Sequence, residues 1–375
     1  MAMIRHSPYH HRHVAAGAEM VDRLGFAAPL RFNSVEAEHR ATREAAGLFD
    51  VYYQVPVEIA GRGALDFAQW ACVNDVARLS VGQGLYTSLC NDRGGIIDDL
   101  TCFRVGERRY WLMPTPARVA AVVSWLDKAA AERNAVVTNL GNGVAYMSVQ
   151  GPRSRQIVQA LTQADLGAQS LGYYHFTRGE LAQVPDVMIS RTGYSGELGF
   201  ELFYPSEYAE HVYDAVMAAG KPLGLVPCGL GALRTLRMEK KYPLYGLDLT
   251  EDTTPIEAGI GWTVRFGKGA FSGRATLERQ HQEGPKRKLV VLRFKDLAAD
   301  VAIGDPVSVN KSEVGRVTST EKGHTVGATL AMTYLPSPCA VDGAAVTVRS
   351  KAGTSAEAQV MSRAPYDPER KRLLA

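Results

Sequence analysis

The chain has no apolar run approaching the roughly 20 residues that a membrane-spanning helix needs, and its start lacks the long apolar core of a secretory signal. It has little cysteine. Cys72, Cys90, Cys102, Cys228 and Cys339 are odd in number and scattered, without CxxC or other close ligand spacing, which argues against disulfides and zinc. An excess of one charge is also missing: 42 basic and 39 acidic residues leave a net +3, too weak a field for nucleic acid or an anionic membrane to be the main partner. The expectation is a cytoplasmic protein with no metal site, no membrane and no nucleic acid, and a small anionic ligand would need only a local patch.

What is there is a globular composition: 375 residues, 46% hydrophobic and 22% charged, enough for a sizeable core in two or three lobes. Met1 to Arg12 is basic, with no acid before Glu19, a faint likeness to a transit peptide. Ser7-Pro8 reads better as a helix start, with Ser7 as N-cap, Pro8 in the first helical position, and Val14, Ala15, Met20, Val21 and Leu24 as an apolar face. His10, His11 and His13 then fall on a solvated helix face rather than in a metal site.

Short strands interleave with amphipathic helices, which predicts an α+β architecture rather than a doubly wound parallel sheet. Val55 to Ala60 alternates as a strand and leads through Gly61-Arg62-Gly63 into a helix; Val144 to Val149 leads through Gly151-Pro152 into another. A third helix is expected after Ser206 as N-cap, ending at Gly220. Polar and turn residues around Glu283 to Lys288 mark a boundary and a solvated basic linker. Beyond it, strands around Val307, Val317 and Val346 predict a small antiparallel barrel or sandwich.

Two blocks carry the chemistry. Asn91-Asp92-Arg93-Gly94-Gly95 is a turn between strands at Gln83 to Tyr86 and Ile96 to Phe103, and it delivers Asp98 and Asp99, which alternation turns to opposite faces. Arg191-Thr192-Gly193-Tyr194-Ser195-Gly196-Glu197-Leu198-Gly199-Phe200-Glu201 again sets a carboxylate and an aromatic beside a glycine-rich bend, where backbone can approach a ligand closely. Two further blocks are Pro227 to Glu239, with Tyr242 and Tyr245-Gly246-Leu247-Asp248 following, and Glu251 to Trp262. Leu233, Leu236 and Met238 are core candidates, and Arg237 and Glu239 are candidates for pairing across the fold.

These four blocks together resemble the aminomethyltransferase family: the glycine-cleavage T-proteins and relatives that move one-carbon units onto tetrahydrofolate. The resemblance implies a multi-lobed folate-binding region around a central cavity, here residues 1–283, and a C-terminal antiparallel β-barrel domain, here 286–375. It implies that Asp99 is the catalytic carboxylate beside the bridging nitrogen of the folate, orienting the cofactor and stabilising developing positive charge, with Tyr86 in the same cavity. It also implies that Glu201 recognises the pterin, whose ring N–H and exocyclic amine form a row that a carboxylate can accept as a pair. Tyr194 then covers the pterin face, and Tyr242, Arg234 and Trp262 complete the cofactor-side set, Trp262 by packing beneath the pocket. Glu257 is expected to satisfy loop amides.

The chain departs from the T-protein pattern at two places. Leu233 stands where T-proteins carry an arginine that reaches the folate, and Arg234, one residue on, is turned by about 100° on a helix. Phe49-Asp50-Val51-Tyr52-Tyr53 replaces Phe-Asp-Val-Ser-His-Met, so Tyr52 and Tyr53, with Phe103, are expected on the substrate side. Both departures favour a tetrahydrofolate-dependent demethylase of a small N-, S- or O-methylated substrate over a T-protein that receives an aminomethyl group from a lipoyl carrier protein. A third reading is a folate binder without transfer, of the tRNA-modification or iron–sulfur assembly type. Those relatives carry a Lys-Gly-Cys signature, and this chain has Lys268-Gly269-Ala270.

Overall fold

The computed structural model describes residues 4–375, so the first three residues of the basic start lie outside it. Two antiparallel-dominated sheets form the body of the chain. The five-stranded sheet runs in the order Gln83–Cys90, Ile96–Gly106, Arg109–Met113, Val57–Ala60, Val136–Asn139. The six-stranded sheet runs Phe176–Leu181, Val184–Ser190, Gly199–Pro205, Val144–Gln150, Ala46–Asp50, Leu225–Cys228, and only its last pair is parallel. The anticipated strand–turn–helix units are present: Val57–Ala60 leads to the helix Ala64–Ala71, and Val144–Gln150 to the helix Ser154–Gln159. Val57 and Ile59 bury one strand face against Phe67 and Ala68 of the helix that follows.

The two sheets meet over an aromatic core. Phe103 of the five-stranded sheet packs edge-on against Phe176 at 5.8 Å and Phe203 at 6.2 Å, both from the six-stranded sheet, and Tyr146 stacks on Phe203 at 4.4 Å. Aromatic pairs at these separations add about 1 kcal/mol each beyond the area they bury. This contact holds the two sheets in fixed relation, and the cavity opens beside it.

A closed six-stranded barrel of Arg287–Phe294, Ala328–Pro336, Ser312–Gly323, Pro306–Val309, Ala345–Arg349 and Ser355–Met361 follows. It is joined to the body by buried polar contacts. Arg237, on the helix Leu230–Glu239, donates to Asp248 at 2.9 Å and to Ser319 of the barrel at 3.0 Å, while Glu239 accepts from the amides of Thr325 and Val326 at 2.7 and 3.1 Å. Beyond Met361 the chain leaves the barrel and returns to the body, where Tyr366 donates to Glu197 at 2.7 Å and Lys240 to Asp367 at 3.2 Å.

The N-terminal helix differs from its sequence reading. It covers only His10–Ala15, and Met20 and Val21 belong to the strand Glu19–Arg23, which pairs with Phe26–Arg31. The cause is a local turn: Asp22 accepts the amide of Gly25 at 2.7 Å, while Leu24 and Gly25 both take positive φ, so the segment becomes a hairpin. Ser7 is not a helix cap; its hydroxyl donates to Asp50 at 2.6 Å. His13 is not solvated either, being 2% exposed with Nε2 2.9 Å from Asp50. Ser206 opens a 3-10 turn, its hydroxyl donating to the carbonyl of Asn142, and the helix proper is Ala209–Gly220. The basic run is shorter as a linker than expected, because Arg287 already starts the first barrel strand.

Candidate functional site

The second glycine-rich block needs glycine because its backbone lies against another side chain. A Cβ on Gly193 or Gly199 would lie 2.0 or 2.2 Å from the amide of Gln150. That amide fastens the bend: Gln150 donates to the carbonyl of Thr192 at 3.1 Å and accepts from the Ser195 hydroxyl at 2.6 Å. The loop therefore lies flat on the six-stranded sheet and turns Tyr194 and Glu201 toward one opening.

That opening is a cavity of about 520 Å³ between the sheets, the helix Leu230–Glu239 and the returning C-terminal segment. Its lining brings together Asp99, Tyr86, Glu201, Tyr194, Tyr242, Trp262, Tyr53 and Arg234. The volume falls within the roughly 300–1,000 Å³ of small-molecule sites, and apolar and aromatic side chains with a few fixed polar groups are their usual chemistry.

Asp99 and Tyr86 are diagonal neighbours on adjacent strands, since Ser88 pairs with Asp99 and Tyr86 with Thr101. The Tyr86 hydroxyl donates to Asp99 at 2.7 Å. Burial pushes the Asp99 carboxyl up to about 6, opposed by the Tyr86 hydrogen bond. Asp98 faces the other way, as alternation requires, and accepts the amide of Thr115 at 2.7 Å. Burial and the neighbouring Asp99 hold its pKa well above the usual carboxylate range.

Glu201 is the second cavity carboxylate. Tyr146 donates to one oxygen at 2.5 Å and Thr192 to the other. Burial raises its pKa and these two donors lower it. Tyr194 donates to the carbonyl of Pro243 at 2.5 Å and its ring lies 5.6 Å from that of Tyr242, so two aromatic faces are held side by side.

Two substrate-side expectations fail. Phe103 is fully buried in the inter-sheet core, and Tyr52 is 7% exposed, packed near Phe26, with its amide held by Asp50 at 2.9 Å. Both tyrosines lie in the turn after the strand Ala46–Asp50, and of the two only Tyr53 lines the cavity. Trp262 does not pack beneath the pocket. It is 60% exposed at the cavity lip, its ring 6.1 Å from Tyr86. Leu233 lines the cavity half-buried and Arg234 is exposed at its rim, while Glu257 accepts the amide of Thr254 at 3.2 Å as expected. Tyr146, Tyr173 and Tyr174 escaped the sequence reading, being single aromatics in ordinary segments brought in by strand pairing and chain return.

Lys268 is held by the backbone. Its ammonium donates to the carbonyls of Gln69, Cys72 and Asn74, the last two at 2.6 and 2.9 Å, and burial lowers its pKa to about 8. The Lys-Gly segment is thus a clamp on the end of the helix Ala64–Ala71. Among the described residues, no group of three or more His, Cys, Asp or Glu side chains could hold a metal ion, and no helix is long and apolar enough to cross a membrane.

Comparison with known proteins agrees with this geometry. Residues 9–268 match the GCVT N-terminal domain and residues 287–367 the glycine cleavage T-protein C-terminal barrel domain. Aminomethyltransferase of Halothermothrix orenii is 39% identical over 92% of this chain and 95% of its own, and that of Bacillus subtilis 37% identical over 92% and 95%. The crystal structure of glycine cleavage system aminomethyltransferase T from Bartonella henselae superposes with a TM-score of 0.89 at 30% identity, covering 97% of this chain and 99% of that one. Two carboxylates from different sheets lining one cavity, a barrel docked beside it and similarity along nearly the whole length have one common reading: the chain belongs to the glycine cleavage T-protein family of tetrahydrofolate-dependent one-carbon transferases.

Proposed function

We propose that this chain is an aminomethyltransferase, taking its one-carbon unit from an aminomethyl group on a lipoyl carrier protein. The similarity to aminomethyltransferases over more than nine-tenths of the chain supports this above the small-molecule demethylase that the two sequence departures favoured. The observation that carries the folate part is Glu201: a half-buried carboxylate with no Lys, Arg or His on it among the described residues, both oxygens fixed by hydroxyls, lining the cavity. Each oxygen keeps a free lone pair, which is the acceptor pair that a ring N–H and an exocyclic amine require. The acceptor pair therefore fits a reduced pterin.

When bound, tetrahydrofolate would supply the ring and bridging nitrogens that take up the one-carbon unit. Glu201 would hold the pterin, with Tyr194 and Tyr242 against its face. Asp99, fixed by Tyr86, would be largely ionised at neutral pH and stabilise positive charge developing at the reacting nitrogen. The enclosing walls exclude water and align the reactants, which supplies much of the acceleration in such transfers. A cytoplasmic location is part of this reading and is supported by five free cysteines.

The demethylase is a second reading because Leu233 and, of the Tyr52-Tyr53 pair, Tyr53 line the cavity. Purified protein with tetrahydrofolate should turn over aminomethylated lipoyl carrier and be inert toward methylated amines, sulfonium compounds and aryl ethers. Turnover of a small donor alone would reverse the assignment. In Glu201→Gln, folate affinity measured by calorimetry should fall roughly 100-fold, the scale of about 3 kcal/mol for losing charge-assisted hydrogen bonds. Unchanged affinity would move the pterin elsewhere.

A further inference from the structure

Glu201 lies on the strand Gly199–Pro205, flanked on one side by Val144–Gln150 and on the other by Val184–Ser190. Tyr146 reaches it diagonally from the first neighbour, because Ser148 is directly opposite Glu201 and Tyr146 opposite Phe203. Thr192 reaches it from the bend after the second neighbour and is itself tied to Ser190 at 2.9 Å. The Tyr146 ring is 4% exposed, locked on Phe203, and does not line the cavity.

We propose that Tyr146 and Thr192 are positioning residues that fix the plane of the Glu201 carboxylate and keep it ionised for a hydrogen-bonding row of N–H donors. This rests on the assignment of Glu201 to the pterin. A carboxylate on a free side chain rotates about its last torsion with little preference. Here one hydroxyl holds each oxygen, so the two remaining lone pairs are aimed before any ligand arrives. Both donors also oppose the burial that favours the neutral acid. The other titratable groups facing Glu201 are Tyr173 and Tyr174, whose pKa values burial holds well above the ordinary tyrosine value, so both stay neutral wherever a carboxylate titrates.

The sign follows directly. Each hydroxyl favours the charged carboxylate, so its loss lets Glu201 take up a proton at higher pH, and a protonated acid cannot accept two N–H bonds. Tetrahydrofolate affinity, measured by calorimetry from pH 5 to 8, should have an acid limb that moves upward by about one pH unit in Tyr146→Phe, a tenfold loss on that limb that recovers as pH rises. Thr192→Val should move it the same way, and Thr192→Ser should restore the wild-type profile. A purely structural role would weaken binding by the same factor at every pH. Thermal unfolding without folate shows whether each variant folds, and the Thr192 pair carries the test alone if Tyr146→Phe does not. An acid limb that stays in place in the folded variants overturns the proposal. If Glu201→Gln loses affinity while that limb stays in place, the clamp alone fails; unchanged affinity in Glu201→Gln overturns the pterin assignment with it.

Discussion

Asp99→Asn should bind tetrahydrofolate within about threefold of wild type while kcat falls roughly 100- to 1000-fold, the scale for removing one preorganised electrostatic partner from a developing charge. The substitution keeps the shape and an acceptor for the Tyr86 hydroxyl, which lies 2.7 Å away, so folding and the cavity wall are retained. The pH profile sharpens the test. Burial raises the Asp99 carboxyl to about 6, so its charged form is present above that value and lost as pH falls through it. Wild-type kcat should therefore decline on the acid side, and Asp99→Asn should lack that limb. Measuring kcat at saturating folate keeps the binding role of Glu201 out of the profile. A variant with wild-type kcat would remove Asp99 from the chemistry.

The carboxylates were legible because each stands in a glycine-rich block whose residues resemble those of the family, although what the glycines pack against comes from far along the chain. Gly94 takes positive φ, which the turn sequence announces, while a Cβ on Gly95 would lie 1.8 Å from the carbonyl of Glu251, which it does not. Their partners were not legible. Tyr146 looks like any strand aromatic until pairing puts it diagonal to Glu201, and no local pattern encodes which strands will be neighbours. Trp262 misled for the opposite reason: its size argues for burial, yet the turn at Gly261–Thr263 leaves it at the lip over Tyr86. The N-terminal helix failed because its apolar positions fit a helix face loosely, while the Asp22–Gly25 turn and pairing with Phe26–Arg31 decided for a hairpin. Sequence thus carried the chemistry-bearing blocks themselves, and missed what distant strands assemble around them.

One buried cation fixes the loop that the cavity depends on. Arg43, 5% exposed, donates to Glu197 at 3.1 Å, Glu239 at 2.9 Å and the carbonyl of Ser195 at 2.8 Å, and its guanidinium lies 4.1 Å from the ring centre of Tyr366. It thereby ties the glycine-rich bend before Glu201 to the helix Leu230–Glu239 and to the returning C-terminal segment. Arg43→Met keeps length and volume but leaves Glu239 and Glu197, both essentially unexposed, with one cation fewer. The expected cost is about 3–5 kcal/mol, the range for orphaning part of a buried ion pair, read as a lower urea midpoint with an unchanged slope. The pH dependence carries a definite sign. Burial raises the Glu239 pKa, but His39 and Arg43 outweigh it and bring the carboxyl from 4.5 to about 2. Its contribution is therefore complete above about 4.5 and lost as pH falls toward 2. Wild type should lose stability across that window, and Arg43→Met should lose less of it, having less pairing to forfeit. Because the bend is held from behind by this cation, the variant should also weaken folate binding at neutral pH although Arg43 does not line the cavity. Stability and affinity both at wild-type values would mean that Gln150 alone holds the bend.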